Sequence, residues 1–495
     1  MPGAGSGAGA TGSTGCVIIA QAAQLRQARA VGRGAVSLPV QRPMPFPPRP
    51  SVPRARRLAV AAATLGAIAL TGPVAGAHAV ETVPGEIVVK EHPTGMLARA
   101  ATRAQTAHRV IRVTDVDRAL RAVRRRSSVV YAVPNVKARA AALVPNDPGR
   151  GTTAGGWQRV QWNFVGPFSV NAPEAWANLA AVKRSGGRGV TVAVLDTGVA
   201  YRAKGTYLKS PDLRTDQFVR GYDFVDRDPY PYDRNGHGTH VASTIAEATN
   251  NGIGLTGLAY GARIMPIRVL DDQGEGDASD IADGIRFAAR RGAQVINLSL
   301  EFSSDVRAAQ IPEMLDAIRY AHSKGAVVVG ASGNEGHRAI AYPARASNVI
   351  SVGATTEHGC LSDFSNVGAG LDLVAPGGGA DAQLLDDPNC KDDAKPGRDI
   401  FQVTLQGRQR RSFGLPSDYE GTSMATPHVS ATAALVIASG VLGPSPSPAR
   451  IERHLKATAT DLGTPGVDER YGHGLLNAAK ATQPVLPQPA ATPGT

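Results

Sequence analysis

The 495-residue chain predicts an α/β fold with a mainly parallel central sheet. From Gln158 onward, short apolar runs rich in β-branched residues alternate with longer helical patterns. Strands separated by helices must run parallel, with the helices covering the sheet faces. One run, Val190 to Val199 (VTVAVLDTGV), ends in an acid and a glycine turn. It delivers Asp196 to the carboxyl end of a buried strand, where open α/β sheets place their sites. A second stretch, Gly421 to Ala431 (GTSMATPHVSA), puts Ser423 at the start of a small-residue helix, beside backbone N–H groups with no intrahelical partner.

In chain order, residues 1–53 are Gly, Ala, Pro and Arg in low-complexity order, expected to be a disordered leader. Arg54 to Arg57 (RARR), the apolar run Leu58 to Leu70 and Ala77-His78-Ala79 read as a secretory signal over 54–79, cleaved after Ala79. That apolar run is too short to span a bilayer. Met44 would begin a signal of ordinary layout, so Met1 is open to reading as a misplaced start. Residues 80–142 form a small basic module with strands at Gly85–Lys90 and Ser128–Val136. Between them Val116–Arg126 reads as an amphipathic helix with Leu120 and Val123 on one face.

The main domain is expected over 143–481. Its strands are Val190–Leu195, Arg263–Leu270, Val295–Leu300, Ala326–Ala331 and Val349–Ala354. Its helices are His240–Ala248, Ala278–Arg291, Ile311–Ser323, Ser423–Ser439 and Ser447–Ala457. Two inserts stand out: Tyr201 to Ser210, and Gly377 to Glu420, which is read as a surface excursion. Residues 482–495 are a Pro/Ala-rich tail, expected to be disordered.

The net charge of +12 suggests a nucleic-acid binder, but its distribution argues against one. Residues 1–142 hold 20 Lys and Arg against 5 Asp and Glu, leaving 33 basic and 36 acidic residues for the remainder. A domain near neutrality has no electrostatic footprint for nucleic acid. Of three cysteines, Cys16 lies in the leader. Cys360 and Cys390 remain, either as a disulfide suited to an exported protein or as two free thiols.

Chemistry enters with three residues. Ser423 is a nucleophile in position, and His237, bracketed by glycines in Asn235 to Thr244 (NGHGTHVAST), is a base with room around it. Asp196 can fix the imidazole tautomer. Acid, histidine, serine is also the chain order of subtilisin. Four segments, LDTGV, NGHGTHVA, GASGNEG and GTSMATPHV, resemble the four signature blocks of the subtilisin-like serine proteases.

The resemblance covers Asn146 to Lys480. It implies a subtilisin-like three-layer fold and a secreted serine endopeptidase working through an acyl-enzyme. Residues 80–142 would be a propeptide acting as chaperone and intramolecular inhibitor, cleaved between Lys137 and Val144. It also implies protein or peptide substrates, a monomer, no membrane anchor and no catalytic cofactor. Asn334 becomes the side-chain donor of the oxyanion hole. Val295 to Leu300 becomes an edge strand pairing with substrate.

Ser299, Leu300, Glu301 and Ala341 become substrate-binding positions. Glu301 and Phe302 depart from the two glycines usual there. Glu301 is expected at the pocket rim, where its carboxylate would either favour basic residues weakly or point to solvent, while small Ala341 leaves the pocket floor roomy. A structural calcium ion is implied on the carbonyls of Thr249, Ile253 and Leu255, the side chain of Asn251, and the carboxylates of Asp212 and Asp147. His240 and His428 are expected to be structural, since HxxH lacks the i,i+4 spacing of a zinc helix. Asp196-Thr197-Gly198 is also the aspartic-protease triplet, but that fold needs two and no second D-T-G occurs.

Overall fold

The computed structural model describes residues 16–18, 82–92, 108–136, 143–384, 386–390, 396–407 and 409–484. The signal segment 54–79, the passage 137–142, most of the leader and the tail from 485 lie outside the described residues. The chain divides into two compact units, one of residues 34–141 and one of residues 1–33 with 142–495.

The leader contributes one described strand, β1 (Cys16–Ile18), so the expectation of a disordered leader does not hold for those three residues. The smaller unit is an antiparallel sheet with β2 (Thr82–Glu91) between β3 (Arg109–Arg112) and β4 (Val129–Val136). Helix α1 (Val116–Arg124) starts at Asp115, whose carboxylate accepts the Arg118 N–H, satisfying one orphan donor of the first turn. Its Leu120 and Val123 pack with Ile87, Val89 and Ala132, the face foreseen from their spacing.

In the larger unit the strands are β5 (Thr191–Asp196), β6 (Tyr222–Asp223), β7 (Arg263–Arg268), β8 (Glu275–Asp277), β9 (Val295–Leu298), β10 (Glu301–Phe302), β11 (Val327–Ala331), β12 (Val349–Thr355), β13 (Leu373–Pro376), β14 (Thr404–Gln406) and β15 (Ser412–Gly414). The helices are α2 (Ala172–Ala181), α3 (His237–Ala246), α4 (Ala278–Arg290), α5 (Pro312–Ser323), α6 (Thr422–Ser439), α7 (Pro448–Thr458) and α8 (Ala478–Thr482). Seven strands form one sheet in the order β13-β12-β11-β9-β5-β7-β6, every pair parallel.

Successive side chains of β5 point to opposite faces. Val192 and Val194 join a core shared with α2, α3 and α6, while Ala193 and Leu195 join one shared with α4 and α5. Three layers result. Helix α6 is buried from Thr422 to Val436. A helix so enclosed needs apolar or small residues all round rather than a stripe, and its Ala, Ser, Thr and Val run supplies them.

Three expectations need correction. Val295–Leu298 is not an edge strand: β5 and β11 flank it, and the run breaks at Ser299. Its continuation, β10, pairs antiparallel with β1, which lies between β10 and β8 in a separate three-stranded sheet. Nor is 377–420 simply a surface excursion. Ile400, Gln402, Val403, Thr404 and Leu405 are buried, and the Trp162 indole donates to the Asp399 carbonyl at 3.1 Å. Finally, α3 begins at His237, three residues before the helix start expected at His240. Cys360 and Cys390 are disulfide-bonded.

Candidate active site

Asp196 ends β5, and the Gly198 turn after it has φ +102°, with a Cβ there only 2.6 Å from the Tyr232 backbone. Only glycine accepts both the left-handed backbone and the close approach. His237 opens α3, and its Nδ1 lies 2.8 Å from Asp196 Oδ1, so Nδ1–H donates and Nε2 is left as the basic nitrogen. Nε2 is buried and makes no hydrogen bond to a described residue. Burial pulls the His237 pKa down, but the Asp196 charge and hydrogen bond, helped by Asp233, outweigh it and raise the pKa above 6.5.

Asp233 was not singled out from the sequence. It is buried and accepts hydrogen bonds from Thr197 Oγ1 (3.0 Å), the N–H groups of Asn235, Gly236 and Thr239, and Thr239 Oγ1 (2.6 Å). It therefore clamps the turn entering α3 to the turn leaving β5, holding His237 opposite Asp196. One signal was legible: an Asp four residues before a glycine-bracketed histidine is a natural turn and cap residue.

Ser423 is the second residue of α6 and only 4% exposed. Its Oγ donates to the Ser299 carbonyl at 3.2 Å, and Ser299 Oγ donates back to the Ser423 carbonyl at 2.8 Å. Ser299 thus sits beneath Ser423, and Leu300 is a core residue. Ala341 is buried, its N–H bonded to the Ser332 carbonyl. Asn334 follows β11, and its Oδ1 accepts from the Thr422 N–H (2.7 Å) and Thr422 Oγ1 (3.0 Å). This fixes the amide beside the start of α6, next to Ser423, while Asp196 and His237 form a second hydrogen-bonded pair at the end of β5.

Glu301 is not at an exposed rim. It is 7% exposed, with Oε2 accepting the Asn334 N–H at 2.8 Å and Oε1 accepting Asn334 Nδ2 at 3.1 Å. Burial raises its pKa to about 7 against the lowering effect of these bonds, with Glu335 adding to the rise. His240 and His428 play the structural part expected of them. Burial lowers their pKa values to about 3 and about 4. His240 bonds the Ile400 carbonyl and stacks on Tyr419, and His428 bonds the Met424 carbonyl and Asn163.

The residues expected to hold calcium converge away from this pocket. Asp147 and Asp212 are fully buried. Asp147 accepts the N–H groups of Asn250 and Asn251, and Asp212 accepts Asn251 Nδ2 and the Leu255 N–H. Burial, with repulsion from Asp147, raises the Asp212 pKa to about 7, and burial followed by the Asp212 charge raises that of nearby Glu247. No described residue donates a hydrogen bond to the carbonyls of Thr249, Ile253 or Leu255. Clustered buried carboxylates without a basic ion-pair partner among the described residues, beside free carbonyls, suit a hard cation.

Residues 187–474 match the family model described as the subtilase family. Subtilisin Savinase of Lederbergia lenta is 41% identical over 298 residues, 60% of this chain and 92% of the relative. A thermophilic serine proteinase of Bacillus sp. (strain AK1) is 36% identical over 370 residues, 75% of this chain and 77% of that one. A solved protease of Pseudoalteromonas arctica PAMC 21717 superposes with a TM-score of 0.54 at 30% identity, covering 69% of this chain and 99% of the other.

Proposed function

Since this chain belongs to the subtilase family and is a serine endopeptidase acting on protein or peptide substrates, we propose that Asp196, His237 and Ser423 are its catalytic residues and Asn334 its side-chain oxyanion donor. The observation carrying this reading is the 2.8 Å contact between Asp196 Oδ1 and His237 Nδ1, with a buried, unbonded Nε2.

Ser423 Oγ leaves the Ser299 carbonyl and gives its proton to Nε2 as it attacks the substrate carbonyl carbon. The new C–O bond makes a tetrahedral oxyanion, which the Ser423 N–H and Asn334 Nδ2 receive. His237 then protonates the leaving amine as the C–N bond breaks, leaving an acyl-enzyme. Water repeats the cycle: His237 takes its proton, hydroxide adds to the acyl carbon, and Ser423 leaves with the proton returned. Extended substrate would take the place of β1 between β8 and β10, whose facing edges pair with it antiparallel on both sides. Pairing of this kind supplies affinity through the backbone and leaves specificity to side-chain pockets.

We further infer secretion, from the signal-like segment 54–79, and maturation by loss of residues 80–142. No described helix is long and apolar enough to cross a membrane. A structural calcium ion would be held by Asp147, Asp212, Asn251 and the carbonyls of Thr249, Ile253 and Leu255. Bound there, it would neutralise the buried carboxylates and tie residue 147 to the 249–255 loop. Ser423→Ala tests the reading: hydrolysis should vanish, the melting temperature should hold within about 3 °C, and residues 80–142 should stay attached in purified protein. Hydrolysis at the parent rate would refute it.

A further inference from the structure

Glu301 breaks a folding rule without visible compensation. A buried carboxylate normally faces a cation or a metal. Among the described residues Glu301 has no basic ion-pair partner, and its hydrogen bonds go to a single residue, Asn334. Room for it is built in. At Gly333 a Cβ would come within 2.7 Å of Glu301 Oε2 and 2.2 Å of Asn366 Nδ2, and its φ of +115° is one that L side chains rarely adopt. Local rules are most often broken at functional sites.

We propose that Glu301 is a positioning residue for the oxyanion hole, its two carboxylate oxygens holding the backbone and side-chain N–H groups of Asn334 so that the amide presents its remaining hydrogen to the oxyanion. The inference rests on the assignment of Asn334 as oxyanion donor. The terminal torsion of an asparagine is broad and roughly two-fold, so nothing intrinsic holds Nδ2 rather than Oδ1 towards the reacting carbonyl. Here Thr422 holds Oδ1 from one side and Glu301 holds Nδ2 from the other. Of the two amide hydrogens, one is spent on Glu301 and one stays free.

The Glu301 charge itself repels an oxyanion, so its benefit acts through geometry. That makes the role separable from direct stabilisation. A donor a fraction of an ångström out of place loses most of its value in the transition state while barely affecting substrate binding.

The test is a double-mutant cycle on the full-length chain, with active sites counted by titration with a serine-directed reagent. Asn334→Ala should lower kcat by about 10²–10³, the loss measured for such a donor in subtilisin. Glu301→Ala should lower kcat about tenfold with KM within about twofold, and should change kcat by less than about twofold once Asn334 is already Ala. Glu301→Gln, which keeps one carbonyl acceptor, should fall between, at a loss of about threefold.

An unchanged or raised kcat in Glu301→Ala, or the same loss in both backgrounds, overturns the proposal. If Glu301→Ala does not fold, the near-isosteric Glu301→Gln runs through the same cycle with the same criterion. Asn334→Ala with undiminished kcat overturns the oxyanion assignment, and the proposal with it.

Discussion

In the proposed triad, His237 is where protonation and catalysis meet. Its pKa is pulled down by burial and lifted above 6.5 by Asp196 and Asp233, so the base is lost to protonation as pH falls through a value above 6.5. The acid limb of kcat/KM should therefore lie on the alkaline side of 6.5. In Asp196→Asn the raising charge is gone while burial remains, so that limb should move to lower pH even as the rate falls. A limb in the same place for both proteins would contradict the assignment of Asp196. Asp196, His237 and Ser423 stood out as candidates because each sits in a short motif whose residue types fit the proposed chemistry, whereas Asn334 entered only through the family resemblance. Glu301 was legible only as a departure. Its hydrogen bonds to Asn334 depend on the fold of a loop 33 residues away, which no local pattern encodes.

Elements set the second scale. Strands β5, β9, β11 and β12 were readable from apolar runs, but boundaries were set by contacts the sequence does not display. β9 stops at Leu298, after which Ser299 exchanges hydrogen bonds with Ser423, and Arg109–Arg112 was missed because four residues bounded by arginines show no alternation. The insert at 377–420 looked solvent-facing by composition, yet its 400–405 stretch is buried against α3 through His240 and Glu247.

The 249–255 loop yields a prediction at this scale. Without a cation, the raised folded pKa of Asp212, about 7, penalises folding as pH rises from its unfolded value, and the penalty is complete above about pH 7. Calcium removes it and adds about 2.7 kcal/mol at a hundredfold excess over Kd. A strong chelator should therefore lower the melting temperature, and by more at pH 8 than at pH 5, where protons compete with the metal. Asp212→Asn should blunt the effect. A melting temperature indifferent to chelator at pH 8 would remove calcium from the account.

Over the whole molecule, fold class was the most legible property, because strand–helix alternation and parallel pairing are two statements of one constraint. Basic residues concentrate in 1–142, while residues 143–495 are near neutral, and the smaller compact unit, 34–141, lies within the basic stretch. What joins these scales is the proposed nucleophile, Ser423, at the start of a buried helix. The most direct test is mass-spectrometric mapping of the full-length protein after reaction with a fluorophosphonate. One adduct is expected, on the peptide containing Ser423, with hydrolysis lost in proportion to labelling and no adduct in His237→Ala on the same timescale. Full activity with Ser423 labelled, or activity lost through an adduct elsewhere, would contradict the assignment of Ser423.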